Sequence, residues 1–323
     1  METLNALTAS LLSPMVLAFL LGVAASLMKS DLKIPPEIYA IMTVYLLFAI
    51  GLKGGAKLEG VTLAEFAKPL TAALALSLAI PLWCHFILRK FAGIDSVNSA
   101  ALAAHYGSVS AVTFGEAVAF LQIAHVTYEP YVAALLAVME IPAIMLAIFL
   151  VGKNALPEGG GGAKAVFKEL LTSKSIVLLV GGLLIGLLAG KKGAEQVAPF
   201  FDAPFRGVLT LFLLEIGLVT GRRLGDLKKA GWRLILFGIA MPFAHGLLGV
   251  WLGYWSGMGV GGATVLGTLA ASASYIAAPA AVRVALPSAS PALYMTSSLA
   301  VTFPFNVVAG IPLYFSFARW LIP

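Results

Sequence analysis

His105-Tyr106-Gly107-Ser108-Val109-Ser110-Ala111-Val112-Thr113-Phe114-Gly115-Glu116 sets an imidazole, four hydroxyls and a carboxylate inside an otherwise apolar tract. Ser272-Ala273-Ser274-Tyr275-Ile276-Ala277-Ala278-Pro279 does much the same in the other half of the chain. Each run combines small residues, hydroxyls and a helix breaker, Gly107 in one and Pro279 in the other. If these tracts lie in a membrane, the runs predict two interrupted helices whose freed N–H and C=O groups need protein, water or ligand as partners. Half-helix N-termini meeting there would face an anion, and carbonyl ends a cation. Close helix packing through Ser, Ala and Gly is the competing explanation for any single serine.

Composition places the tracts in a membrane. Of the 323 residues, 60% are hydrophobic and 11% charged, against about 45–50% and 25% in soluble domains. Positions 234–282 and 284–318 contain no Asp, Glu, Lys or Arg, and about 20 apolar residues suffice to cross the hydrocarbon layer. These features exclude soluble enzymes, nucleic-acid binders and secreted disulfide scaffolds. The single cysteine, Cys84, lies in an apolar stretch and reads as a packed thiol. No HExxH, P-loop or GxSxG motif occurs, so no catalytic centre is expected.

Hydropathy and punctuation predict ten spans, at 11–28, 36–53, 69–88, 97–123, 130–152, 174–190, 204–221, 234–256, 261–284 and 292–317. The first of these reads as a retained span rather than a signal peptide. Leu47, Ile50, Gly51, Leu52 and Gly55 recur at one constant offset as Leu213, Ile216, Gly217, Leu218 and Gly221, and the same offset carries Ser108 onto Ser274. The prolines Pro81, Pro130 and Pro142 recur in order as Pro242, Pro291 and Pro304. The expected architecture is therefore an all-α polytopic membrane protein. Two five-span repeats (1–152 and 174–323) are joined by a Gly-rich linker, 153–173, and the odd span number forces inverted topology. With both termini outside, about two thirds of the 21 lysines and arginines fall on the cytoplasmic side, among them Lys29, Lys33, Arg89, Lys90, Lys153, Lys228 and Lys229.

Three carboxylates lie within predicted spans: Glu116, Glu140 and Glu215. Glu140 precedes Pro142 much as Thr302 precedes Pro304, which Asn306 follows. Carboxylate, hydroxyl and amide oxygens at matching kinks are candidate ligands for a hard cation, with a helix-to-helix hydrogen bond at the kink as the alternative. Glu215 reads as a pairing residue. His85 and His245 are expected near span ends, in capping or interfacial roles. Trp83, Trp251, Trp255 and Trp320 are expected as interfacial anchors.

Gly107 to Phe114, Ala271 to Ala280 and Ala300 to Asn306 closely resemble the sodium-dependent bicarbonate transporters known from cyanobacteria and found widely in bacteria. The resemblance runs over nearly the whole chain except the linker. It implies two inverted five-span repeats, a homotrimer, a gate domain of spans 1, 2, 6 and 7, and a mobile core of spans 3–5 and 8–10. It implies bicarbonate import with sodium as the coupling ion, no other cofactor, an elevator movement in the inner (plasma) membrane, and a cytoplasmic PII-like regulator. The short linker departs from the cyanobacterial pattern and weighs against that regulator. Carried over by position, the resemblance assigns Gly107, Ser108, Val109, Ser110, Ala273, Ser274 and Tyr275 to the substrate. For sodium the candidates are Ser108, Ser110, Thr113, Glu140, Ser272, Thr302 and Asn306. Hydroxyls and amides discriminate small anions poorly, so another carboxylate or oxyanion, or a non-transporting sensor, stays open as an alternative.

Overall fold

The computed structural model describes residues 8, 11–151, 162–227 and 231–322, and among these there are helices and connecting turns but no strand. In the first half run α1 (Pro14–Leu27), α2 (Pro36–Lys57), α3 (Leu63–Ile87), α4 (Ser96–Gly107), α5 (Ala111–Ile123), α6 (Val132–Glu140) and α7 (Pro142–Phe149). After them come α8 (Gly162–Leu171), α9 (Lys174–Phe201), α10 (Phe205–Arg223), α11 (Trp232–Trp255), α12 (Val260–Ala271) and α13 (Ala277–Ala285). The last helix, α14, spans Pro291–Leu321 and widens into π-turns at Ser297–Thr302 and Asn306–Gly310.

Among the described residues six segments are long and apolar enough to cross a membrane: α2, Leu63–Lys90, Val132–Phe149, α9, α11 and α14. The remaining expected spans fall short for identifiable reasons. Those at 97–123 and 261–284 are each broken in two. Helix α1 has 14 residues, about 21 Å at 1.5 Å per residue, and α10 carries Arg206, Glu215, Arg222 and Arg223. Large apolar side chains such as Leu21, Leu184 and Leu188 lie open on the outer surface, as a lipid-facing belt requires and a water-soluble protein avoids.

Small residues set the helix pairing. Helix α2 packs along α9, and α1 along α10. A Cβ on Gly51 or Gly55 would meet the carbonyls of Leu179 or Leu183 on α9, and one on Gly182 would lie 2.9 Å from the Phe48 carbonyl of α2. In the other pair, a Cβ on Gly217 would meet the Phe19 carbonyl, and one on Gly221 would lie 2.5 Å from Ser26 Cβ. Backbones this close gain dispersion and weak C–H contacts that larger residues would forbid. Helices α3–α7 and α11–α14 share one continuous buried core with these four, which contribute Phe19, Met42, Leu183 and Phe212 to it.

Three expectations are corrected. The linker reading covers too much: Lys153 and the first three glycines of the Gly159 to Gly162 run lie outside the described residues, as do Lys228 and Lys229. From Gly162 to Leu171 the chain is helix α8, which buries Val166 and Leu170. Helix α9 breaks at Gly190 (φ 64, ψ −171), where the sixth span is expected to end; Lys191 N–H donates to Glu59 Oε2 at 3.1 Å, and helical structure resumes to Phe201. His245 is no end residue, being 2% exposed in mid-helix, where its Nε2 accepts from Trp83 Nε1–H at 2.7 Å. That bond ties α3 to α11 and gives Trp83 an internal role. Pro279 does not make the second break. It sits in the first turn of α13, where proline is tolerated, and the break precedes it. Glu215, as expected, is paired, with Arg222 at 3.1 Å.

Gly217→Ala should weaken the α1–α10 contact by about 1–3 kcal/mol, a typical overpacking penalty. Gly181→Ala, with open space around it, should be neutral. Thermal unfolding in detergent checks this through a lowered midpoint for the first variant alone.

Candidate functional site

Ser108 leaves the helical conformation at the end of α4 (φ −83, ψ 169), and Ser110 (φ −113, ψ 115) starts α5, its Oγ accepting from Thr113 N–H at 3.2 Å. Ser272 leaves α12 in nearly the same way (φ −78, ψ 163), and Ser274 Oγ accepts from Ala278 N–H at 3.2 Å in the first turn of α13. Hydroxyl-bearing residues occupy both breaks because short polar side chains can satisfy the freed amides locally.

The two breaks interlock. Ser274 N–H donates to the His105 carbonyl at 2.8 Å, and Ser110 N–H donates to Ser272 Oγ at 2.9 Å. Ser272 Oγ–H in turn donates to the Leu269 carbonyl at 2.8 Å. Groups released by one interruption are thereby taken up by the other, which is the condition for irregular backbone at membrane depth.

A shell of buried groups fixes this crossing. Asn306 is fully buried, and its Nδ2 donates to the Ala271 carbonyl at 2.8 Å. The Tyr314 hydroxyl lies 3.0 Å from Asn306 Oδ1. Thr302 donates to the Gly238 carbonyl at 2.7 Å and shares a 2.7 Å hydrogen bond with the Tyr106 hydroxyl, which also meets Ser297 Oγ at 2.6 Å. Ser108 Oγ–H donates to the Glu140 carbonyl at 3.1 Å, joining the first break to the end of α6.

At the crossing is a cavity of about 10 Å³, lined by Ser110, Ser274, Tyr275, Glu140, Ser175 and Leu47 among others. That is room for about one water-sized particle. The Tyr275 hydroxyl, Glu140 Oε2 and Ser175 Oγ are buried and lack a hydrogen bond of ordinary geometry. Unpaired buried polar atoms are uncommon and call for an explanation. Here two donors and one carboxylate oxygen surround the same small space, a donor set suited to an oxyanion together with a hard cation.

Of the residues singled out in the sequence, the structure brings Val109, Ser110, Ser274, Tyr275 and Glu140 to this cavity. Ser108, Ala273 and Ser272 lie in the breaks, buried beside it. Gly107 faces elsewhere, since a Cβ there would lie 2.7 Å from Pro81 Cδ and 2.9 Å from Ala143 Cβ. Thr113 is buried one turn into α5, and Thr302 and Asn306 are engaged in the surrounding shell. Sequence reasoning did not single out Leu47 or Ser175 for the site. Ser175 stands two residues beyond the cap Ser173 and resembles any helix-start serine. Glu116, also buried, keeps Oε1 unpaired in α5.

A comparison with curated proteins finds no match. The model of the Na+-dependent bicarbonate transporter superfamily matches residues 14–319, a stretch that takes in both breaks, the cavity between them and every helix around it. A match of that extent leaves no part of the site outside it, and the chain belongs to the Na+-dependent bicarbonate transporter superfamily.

Proposed function

We propose that the chain imports bicarbonate by sodium symport, and that the crossing is where both ions are held, its water-sized cavity opening further to admit them. The observation that carries this reading is the convergence of three buried polar atoms without a hydrogen bond of ordinary geometry on a space enclosed by two interlocked helix breaks, with Glu140 beside Ser175 and Tyr275 beside Ser110. The first turns of α5 and α13 bring two positive dipole ends to one side of the anion. Tyr275 and Ser175 supply hydroxyl donors, and the Glu140 carboxylate with neighbouring carbonyls supplies oxygen ligands for sodium. Serines 108, 110, 272 and 274 hold the breaks in shape around them. Co-binding is electrostatically favourable, because either ion alone is heavily penalised away from water. Moving one bicarbonate inward against about 100 mV, inside negative, costs roughly 2.3 kcal/mol, and one accompanying sodium cancels that cost.

In this reading the architecture is ten spans in two inverted five-span repeats with both termini outside the inner membrane. The helix pairs support it: Gly51 and Gly55 of α2 contact α9, while their repeat equivalents Gly217 and Gly221 of α10 contact α1. Such reciprocity is what an in-plane two-fold axis would produce. Helices α1, α2, α9 and α10 act as a fixed gate, in a homotrimer, and the remaining helices carry the two breaks and Glu140 past it as an elevator, leaving Leu47 and Ser175 behind. Hydrogen bonds between the two groups of helices, such as Thr220 Oγ–H to the Leu299 carbonyl at 2.9 Å and Lys57 Nζ to the Tyr128 hydroxyl at 3.1 Å, are of a kind easily exchanged. The short linker gives a PII-like regulator little to hold.

Purified protein in proteoliposomes should accumulate labelled bicarbonate only under an inward sodium gradient and release it on adding a sodium ionophore. Accumulation unaffected by replacing sodium with potassium would overturn the symport reading. Glu140→Gln should raise the half-saturating sodium concentration about tenfold, equivalent to about 1.4 kcal/mol, with folding retained. An unchanged value would leave Glu140 a helix-kink residue.

A further inference from the structure

A second, larger cavity of about 410 Å³ opens between the gate helices and α5. Its wall bears four cations, Lys53, Lys57, Lys191 and Arg206, against two carboxylates, Glu195 and Asp202. Lys53 is ion-paired with Asp202 at 3.1 Å. The other cations have no carboxylate at ion-pair distance among the described residues. Lys57 Nζ donates to the Tyr128 hydroxyl at 3.1 Å and lies 4.6 Å from that ring's centre. Arg206 Nε and Nη2 donate to Gln122 Oε1 at 3.1 and 2.9 Å. Neutral acceptors fix where Lys57 and Arg206 point without cancelling their charge. A concave, low-dielectric wall carrying excess positive charge concentrates small anions.

The cavity leads toward the crossing. Ile50, Gly115 and Phe205 line both it and an apolar throat of about 10 Å³. The throat in turn shares Leu47, Ala111 and Ile276 with the cavity at the crossing. Three spaces thus share walls in series, basic, apolar and polar. Gly115 stands at the first junction. A Cβ there would lie 3.5 Å from Leu209 Cδ2 and 3.9 Å from Phe205 Cζ, so alanine fits and a larger side chain fills the throat.

We propose that the Lys57–Lys191–Arg206 cavity is a collecting chamber for small monovalent oxyanions, separated from the crossing by the closed apolar throat at Gly115. The proposal rests on the reading of the crossing as the substrate site. Its first test does not depend on transport. A thiol is placed in the chamber wall as Val118→Cys, in a Cys84→Ala background. Its reaction rates with a sulfonate-bearing and an ammonium-bearing methanethiosulfonate are each normalised to those of free cysteine. At low ionic strength the anionic reagent should react about tenfold faster or more, within the range of electrostatic steering. Added salt should shrink the preference, and Lys57→Gln with Arg206→Gln should remove most of it, while Lys57→Arg with Arg206→Lys keeps it. Equal normalised rates in the parent would overturn the chamber.

In proteoliposomes the double glutamine variant should raise the bicarbonate KM severalfold with kcat unchanged. Gly115→Leu should abolish uptake while the thiol preference persists, and Gly115→Ala should retain uptake. Wild-type uptake by a folded Gly115→Leu protein would overturn the throat. A clear anionic preference in a protein that takes up no bicarbonate would keep the chamber and remove bicarbonate as its cargo.

Discussion

A peptide group in the hydrocarbon layer has no water to bond, so a helix interrupted there must find its partners in protein. In this chain two interruptions become partners to each other through the Ser274 N–H to His105 carbonyl bond and the Ser110 N–H to Ser272 Oγ bond. Everything else about the site follows from that pairing. It brings the starts of α5 and α13 to one small space and leaves the Tyr275 hydroxyl and Glu140 Oε2 facing it without a hydrogen bond of ordinary geometry. Removing either break would strand the other's amides at a cost of several kcal/mol.

The surrounding structure divides the work between rigidity and slip. Asn306, Tyr314, Tyr106 and Thr302 clamp the crossing from the core side with hydrogen bonds to backbone carbonyls and to one another. On the other side, glycines draw α1 to α10 and α2 to α9 until backbones touch. Leu47 of α2 and Ser175 of α9 close the cavity from that side. A movement of the glycine-packed helices past the rest would leave the two breaks locked together and take Leu47 and Ser175 away from them.

Much of this was legible in the residues. Paired runs of serine and small residues located both breaks, because few other reasons place so many hydroxyls in mid-span, and the recurring Leu-Ile-Gly-Leu-Gly pattern marked the helices that pack on glycine. Glu215 was legible as a paired charge. Long-range partnership was not. Nothing near His245 announces Trp83, and nothing around Asn306 announces the Ala271 carbonyl, since such contacts depend on how distant helices cross. Ser175 joined the site from α9 for the same reason. The helical turns after Gly190 and the helix Gly162–Leu171 were obscured by lysines and glycines that read as loop.

The central claim is that anion and cation are held together at one crossing. Binding linkage tests it most directly: bicarbonate affinity of the purified protein is titrated against sodium, and sodium affinity against bicarbonate. The account predicts that each ion tightens the other by the same factor, as thermodynamic reciprocity demands of coupled sites. Bicarbonate binding that is indifferent to the exchange of sodium for potassium would contradict it.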